Sequence, residues 1–336
     1  MIEELEMLEF LKIILITIFA MLLQLMLHEV GHMIGGLLSG YKLIFIRFFS
    51  FTFLKENDHW YFKRFNIPGT AGQCIMQPPC FSKFHYRLYF LGGVIMNVIL
   101  LIIGIICIVF IDHDTVSLLG YELVFMGIYF IIMNGLPLKI SGIVNDGYHV
   151  FKMKEKDKIK LYDQLMIGSL IIQGIPLALM EESLFQYDEN QEGNFYDDYL
   201  MFVNGLRTIE LKDYVKAQDL FLTLLHQSLT IELYKMSAKI ELILLNVEEK
   251  GTEAEIDEYI DKDLMKVIKQ QKFDLATLLA DYCIMILKEK NTEKARKIEK
   301  QFLKQKDQTI EKGTAALYLQ RYENIKQKIE MKKALS

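Results

Sequence analysis

The chain carries the pentapeptide His-Glu-Val-Gly-His at residues 28–32, and this pentapeptide lies inside a long apolar run. The run extends over residues 10–38, and Lys12 and Gln24 are its only strongly polar residues before the pentapeptide. Two histidines spaced four apart lie on one face of a helix, about one turn apart, so both imidazoles can reach one metal ion. The glutamate that follows the first histidine is then placed to act as a general base on a metal-bound water molecule.

A membrane span is an unusual place for such a pentapeptide, because ionisable side chains cost about 2.5–3.5 kcal/mol each there and generally mark function. The apolar run exceeds the roughly 20 residues that a helix needs to cross a bilayer. The alternative interpretation is a chance pattern on a buried core helix, since three fixed positions in five recur by accident. The location inside a span favours function, with His28 and His32 as metal ligands and Glu29 as the general base.

Two further apolar runs, at residues 88–111 and 116–138, are also long enough to span a bilayer. The 336-residue chain is 52% hydrophobic with a mean hydropathy of +0.20, which is high for a soluble protein. The sequence predicts a mainly α-helical protein with a polytopic membrane core at residues 1–153 and a helical domain at residues 154–336. The net charge of −5 does not suggest a nucleic-acid partner, and the four cysteines form no C-x-x-C pair and are predicted to be reduced and non-ligating.

The distribution of basic residues predicts how the spans are oriented. Residues 40–87 hold seven Lys or Arg and residues 139–160 hold six, whereas the first ten residues and the 112–115 turn hold none. Because basic loops stay in the cytoplasm, three spans in the cell membrane would start outside and leave the C-terminal domain in the cytoplasm. A fourth span at residues 161–180 is the alternative, but Gln173, Gly174 and Pro176 interrupt that segment. We interpret it as a buried helix of the C-terminal domain.

An aromatic-rich segment lies between the first two apolar runs. Residues 43–54 and 59–67 are predicted to form the two strands of a β-hairpin, with its turn at residues 56–58. Because aromatic side chains favour the membrane interface, we expect the hairpin to lie there. The Gly and Pro content of residues 69–79 predicts a loop.

The C-terminal domain has the composition of a helical interaction domain. Gly205, Ala217 and Phe221 have the spacing of the small and aromatic positions of a tetratricopeptide repeat, and an unrelated helical bundle is the alternative. Either architecture predicts a domain that binds a protein partner and carries no catalytic group.

Two histidines leave a catalytic zinc site one protein ligand short, because such sites usually take three. Asp146 is the best candidate, since it follows the broken end of the third span on the side nearer to the pentapeptide. His149 is the rival ligand, three residues further on and on nearly the same helix face. Asn97 and Asn134 are amides on membrane spans, where an asparagine either joins two helices or hydrogen-bonds an extended substrate backbone.

Three motifs occur in order on the three spans: HEVGH at residues 28–32, Gly-Val-Ile-Met-Asn at residues 93–97, and Asn134-x-x-Pro137 followed by Asp146-Gly147. In this order they resemble the site-2 protease family of intramembrane zinc metalloproteases. The resemblance covers roughly residues 15–150. The aspartate stands about one helical turn further from the Asn-Pro motif than in typical members, because residues 139–142 are inserted.

The resemblance implies roles for the residues that match the motifs. It implies that His28, His32 and Asp146 bind Zn²⁺ and that Glu29 is the general base. It also implies that Asn97 and Asn134 contact the substrate and that the aromatic hairpin guides an extended substrate strand beside the active site.

The resulting expectation is a membrane zinc metalloendopeptidase that cleaves membrane-bound peptides or single-span proteins, in peptide maturation or signalling. A substrate helix must unwind first, because a helical backbone hides its carbonyl groups. The alternative is a non-catalytic zinc-binding scaffold, or a degenerate protease that only binds peptides. A site closed by four protein ligands, with His149 as the fourth, would favour that alternative.

Overall fold

The computed structural model describes residues 2–56, 59–65, 71–188, 193–251 and 254–333, except for the side chains of residues 2–5 and 331–333. The chain forms two compact units, and along the sequence the main boundary lies between Glu155 and Lys156. The first unit holds the apolar runs and the sheet. In the second, the regular elements of the part that the structure describes are all helices.

Three long helices build the first unit, and each is long and apolar enough to cross a membrane. They are α1 (Ile2–Leu38), α2 (Tyr86–Phe110) and α3 (Asp114–Phe130), and α3 continues as a π-helical turn over Ile131–Gly135. The prediction of three apolar helices is confirmed. The third ends just before Pro137, because proline lacks the N–H that the next turn would need.

Glycines let these helices approach at backbone distance. A β-carbon at Gly31 would come 2.1 Å from the carbonyl oxygen of Gly92, so α1 and α2 cross with their main chains touching. Gly104 and Gly120 make the same kind of contact between α2 and α3, with 2.8 Å to the facing carbonyl oxygen. In lipid, where burial of apolar surface gives little drive, such close packing is what joins helices.

A four-stranded antiparallel sheet follows α1, with the strand order β3-β2-β1-β4. The strands are β1 (Lys42–Phe48), β2 (Phe51–Glu56), β3 (His59–Arg64) and β4 (Gly72–Gln77). The predicted hairpin corresponds to β2 and β3, and residues 57–58 of its predicted turn lie outside the described residues. The prediction of a single strand over residues 43–54 is wrong, because the chain turns at Phe49 with a φ of +55°. The predicted loop at residues 69–79 is also wrong, since β4 pairs with β1 there.

The end of α3 is followed by a small hairpin and a short helix. Strands β5 (Lys139–Ile140) and β6 (Ile143–Val144) pair with each other, and α4 spans Asp146–Phe151. Ser141 and Gly142 have φ values of +50° and +89°, as a two-residue hairpin turn requires.

The second unit consists of helices around one apolar core. The helices are α5 (Lys158–Ile172), α6 (Phe195–Glu210), α7 (Tyr214–His226), α8 (Glu232–Lys250), α9 (Lys262–Gln270), α10 (Leu275–Leu287), α11 (Thr292–Lys306) and α12 (Lys312–Lys333). The segment at residues 161–180 contributes Ile167 and Leu177 to this core, which agrees with its interpretation as a buried helix. Gly205 packs against the ring of Phe221, where a β-carbon would come 2.6 Å from the ring, so the repeat-like positions meet across α6 and α7.

A buried ion pair ties α12 to α8 in this unit. The guanidinium group of Arg321 binds the carboxylates of Glu241 and Glu248, and the Tyr318 hydroxyl donates to Glu241. Burial raises the pKa of Glu241, and Arg321 opposes that rise. Such a pair holds the two helices in one register, because separating its members would leave an uncompensated buried charge.

The glycine contact between α1 and α2 generates a first prediction. We expect Gly31→Ala to destabilise the protein by about 1–3 kcal/mol, because the added methyl group meets a main-chain carbonyl that cannot rotate away. Gly168→Ala on α5 is the matched control. No atom lies within 4 Å of its added β-carbon, so this change is expected to stabilise its helix by about 0.5–1 kcal/mol. Thermal unfolding of the detergent-solubilised protein measures both, and equal melting temperatures would contradict the prediction.

Candidate metal centre

Three metal-ligating side chains from two distant parts of the chain meet in the first unit. His28 and His32 lie one turn apart on α1, and Asp146 is the first residue of α4. The two Nε2 atoms are 3.0 Å apart, and each lies 3.3 Å from the same carboxylate oxygen of Asp146. Of the metal-ligating residues in the described part of the chain, these three form a group that could hold an ion.

The other ring nitrogen of each histidine is already used. Nδ1 of His28 lies 2.7 Å from the side-chain oxygen of Asn97, and Nδ1 of His32 lies 2.8 Å from the main-chain oxygen of Tyr89. Each of these oxygens accepts hydrogen bonds, so both Nδ1 atoms carry the proton. The two Nε2 atoms therefore present lone pairs to each other.

The three atoms that face one another fit a cation. Two lone pairs and a carboxylate oxygen at 3.0–3.3 Å repel unless a positive charge lies between them. A point about 2.0–2.1 Å from each atom exists at these separations, and this is the usual length of zinc–nitrogen and zinc–carboxylate bonds. The hydrogen bonds at Nδ1 also match the outer-shell partners that orient metal-binding histidines.

Asn145 and Gly147 place Asp146 in this group. The Asn145 side chain accepts from the N–H of Tyr148, so it caps α4, and it donates 2.7 Å bonds to the carbonyl oxygens of Met133 and Leu136. A β-carbon at Gly147 would come 2.3 Å from the carbonyl oxygen of Gly135. The start of α4 is thus fastened directly to the π-helical end of α3. The sequence alone did not reveal this function of Asn145.

Residues 139–144, just before Asp146, fold back on themselves. They form the hairpin of β5 and β6, and the N–H of Asn145 then returns to the carbonyl oxygen of Leu138 at 3.3 Å. Because the two ends of this segment meet, its residues do not move Asp146 away from the histidines.

Glu29 lies beside the three ligands. The residue is half-buried, and its carboxylate interacts electrostatically with His28, His32 and Asp146. It also lies against β4, since a β-carbon at Gly72 would come 2.6 Å from one of its carboxylate oxygens. The carboxylate is therefore next to the metal group and next to an edge strand of the sheet.

His149, the rival ligand, is not in the group. It is buried, and its ring stacks on Phe90 of α2 with 4.1 Å between the ring centroids. Burial lowers the pKa of His149 to about 4, so the ring is neutral at physiological pH. Its contact with Phe90 packs α4 against α2.

The two asparagines differ in how their amides are used. Asn97 has no exposed surface, and its amide bonds to His28 and Gln24. Asn134 is half-buried in the π-helical turn, and its side chain makes no hydrogen bond within the part of the chain that the structure describes. Contact of either residue with a substrate stays a prediction. The geometry leaves the amide of Asn134 available for it and assigns Asn97 to the support of His28.

Comparison with known proteins adds no relative to this picture. No protein-family model, no curated protein and no solved structure matches this chain. What the group of His28, His32, Asp146 and Glu29 can do is therefore inferred from its own chemistry.

Proposed function

We propose that the chain is an intramembrane zinc metalloprotease, similar to the site-2 protease family. The observation that carries the proposal is the meeting of His28, His32 and Asp146 at 3.0–3.3 Å, with Glu29 beside them, on helices apolar enough to cross a membrane. These residues come from the motifs that carry the resemblance, and Asp146 lies more than 100 positions after the two histidines in the sequence.

In the proposed reaction the protein residues bind zinc and move a proton. Zinc held by the three side chains would supply a Lewis acid that polarises the scissile carbonyl and makes a water molecule more acidic. Glu29 accepts a proton from that water as oxygen attacks the carbonyl carbon. It then returns the proton to the departing amide nitrogen as the C–N bond breaks. The peptide bond is hydrolysed with no other co-reactant.

The number of protein ligands favours catalysis over a structural scaffold. Structural zinc sites are closed by four protein ligands, whereas catalytic sites keep one position open. Within the described residues, three side chains gather, and His149 stacks on Phe90 instead of joining them. This supports the protease proposal over the zinc-binding scaffold.

The strand that we propose for substrate binding is β4, not the hairpin expected from the sequence. The N–H of Phe49 donates to the carbonyl oxygen of Ala71, so these two residues form a hydrogen-bonded pair. Alternation along antiparallel strands then turns the main-chain groups of Gly72 and Cys74 away from β1. The Tyr89 hydroxyl donates to the outward carbonyl of Cys74, which agrees with this assignment.

An extended substrate could add to this edge beside Glu29. Among the described strands β4 has one neighbour, β1, and its outward groups begin at Gly72, against the Glu29 carboxylate. Strand addition presents an unwound backbone and leaves its carbonyls accessible. The substrates would be membrane-bound peptides or single-span proteins.

Location and partners complete the proposal. The three apolar helices are consistent with a membrane protein. From the positive-inside rule applied to the two basic segments, we propose that the metal group lies nearer to the cytoplasmic side of the cell membrane and that the helical unit lies in the cytoplasm. The repeat-like helix pairs of that unit would bind a protein partner.

Replacement of the proposed base should separate chemistry from metal binding. We expect Glu29→Gln to lower the cleavage rate about 10²- to 10⁴-fold and to leave zinc bound, because it removes a base and no ligand. Purified protein reconstituted with single-span peptides, followed by mass spectrometry, measures cleavage, and elemental analysis measures zinc. Glu9→Gln on the same helix is the control and should keep full activity. Full activity in Glu29→Gln would end the protease proposal.

The ligand assignment predicts different losses at two neighbouring residues. We expect Asp146→Ala to lower the zinc content and the activity together, because one of three ligands is removed. His149→Ala should retain zinc and lose only packing against Phe90. Zinc content per protein after dialysis measures the difference. Loss of zinc in His149→Ala with retention in Asp146→Ala would reverse the assignment.

If a substrate strand adds to β4, the outward main-chain N–H of Cys74 should contribute to cleavage. Cys74→Pro removes an outward N–H without removing a bond to β1, so cleavage should fall while the zinc content stays normal. Cys74→Val keeps the N–H and is the matched control. Equal cleavage by the two variants would argue against β4 as the substrate edge.

A further inference from the structure

Gln24 is a fully buried amide on α1, one helical turn before His28. Its Nε2 donates to the main-chain oxygen of Leu123 on α3 at 3.0 Å. Its Oε1 accepts from Nδ2 of Asn97 on α2 at 2.7 Å. The side chain therefore connects all three long helices at the level of the metal group.

The hydrogen bonds from Leu123 to His28 have a fixed direction. The main-chain oxygen of Leu123 can only accept, so it selects the NH₂ end of Gln24 and leaves the Gln24 oxygen facing Asn97. Nδ2 of Asn97 also donates to the main-chain oxygen of Gln24 at 3.1 Å. Because that oxygen can only accept, it independently fixes the NH₂ end of the Asn97 amide on the side of Gln24. The Asn97 oxygen is thus left facing Nδ1 of His28 at 2.7 Å.

We propose that Gln24 is a positioning residue that acts through Asn97 to hold His28 in the Nδ1-protonated tautomer. This tautomer keeps the lone pair on Nε2, the atom that faces His32 and Asp146. The proposal rests on the metal site of the proposed function and adds to it the residue that orients one ligand. The side chain of Gln24 hydrogen-bonds Leu123 and Asn97, so it acts on His28 through Asn97 and not directly.

A purely structural role for Gln24 would have a different consequence. An amide that only joins α1 to α3 would change the stability of the helix packing and leave metal affinity alone. A residue that fixes a ligand's tautomer changes metal affinity, and loss of such an outer-shell partner typically costs about 10- to 100-fold. Asn97 keeps its bond to the Gln24 main chain when the Gln24 side chain is lost. Loss of the Gln24 side chain should therefore lower the zinc affinity less than loss of the Asn97 amide does.

The test is a double-mutant cycle on zinc affinity. Gln24→Met keeps the length of the side chain and removes both polar atoms, and Asn97→Ala removes the acceptor of the His28 proton. We expect a loss of zinc affinity of about 10-fold for Gln24→Met and up to about 100-fold for Asn97→Ala, measured by chelator competition in detergent. The double variant should match Asn97→Ala alone, because Gln24 acts only through Asn97.

Leu100→Ala is the matched control for packing. It removes a buried side chain three residues after Asn97 on α2, and that apolar side chain donates and accepts no hydrogen bond. Its zinc affinity should equal that of the unaltered protein even if its melting temperature falls. An unchanged affinity in Gln24→Met, or a further loss when Gln24→Met is added to Asn97→Ala, would overturn the proposal.

A second measurement needs neither zinc nor activity. In metal-free protein labelled with ¹⁵N-histidine, we expect the Nδ1 resonance of His28 to report a bound proton and to become mixed in Gln24→Met. An identical resonance in both proteins would overturn the positioning role. If the unaltered protein binds no zinc but the resonance still shifts in Gln24→Met, the zinc protease proposal fails and the positioning of His28 stands.

Discussion

The central constraint of the first unit is the contact of three electron-pair donors. The Nε2 atoms of His28 and His32 and a carboxylate oxygen of Asp146 face one another at 3.0–3.3 Å, and both Nδ1 protons point away to other acceptors. Such a group is repulsive without a positive charge between its members, and low dielectric strengthens that repulsion. The surrounding fold must therefore hold the three atoms in place. It does so with contacts between main-chain atoms, which shift less than side chains because they cannot change rotamer.

Glycine supplies those contacts where the hydrophobic effect is weak. Gly31 lies between the two histidines in the sequence and lets α1 touch α2, while Gly147 lets α4 touch the π-helical end of α3. Apolar side chains cannot distinguish lipid from a neighbouring helix by burial, so van der Waals contact and hydrogen bonds must define the packing. The glycine inside the pentapeptide is thus as much a part of the site as the histidines that flank it. It fixes which face of α1 meets α2.

Much of the architecture could be predicted because its signals are local. Three apolar runs and a broken third helix follow from hydropathy and from Pro137, and the contact of Gly205 with Phe221 follows from the repeat-like spacing. Strand β4 was missed because Gly and Pro surround it, and only its pairing with β1 makes it a strand. The segment at residues 139–144 forms a hairpin, and this conformation depends on where the two ends of the segment are held.

Gln24 shows most clearly where a single sequence stops being informative. A lone glutamine in an apolar span has no periodicity and no motif, and its partners are 73 and 99 residues away along the chain. The role of Gln24 depends on the sequence of hydrogen bonds from Leu123 to His28, and these bonds form only after the three helices have packed. The same reasoning applies to Asn97, whose motif suggested a substrate contact although the folded chain uses its amide to support His28. In a dry helical bundle each buried amide must satisfy its own donors and acceptor before it can serve a substrate. Asn134, whose amide has no such partner among the described residues, is therefore the better placed of the two asparagines to bind an extended backbone.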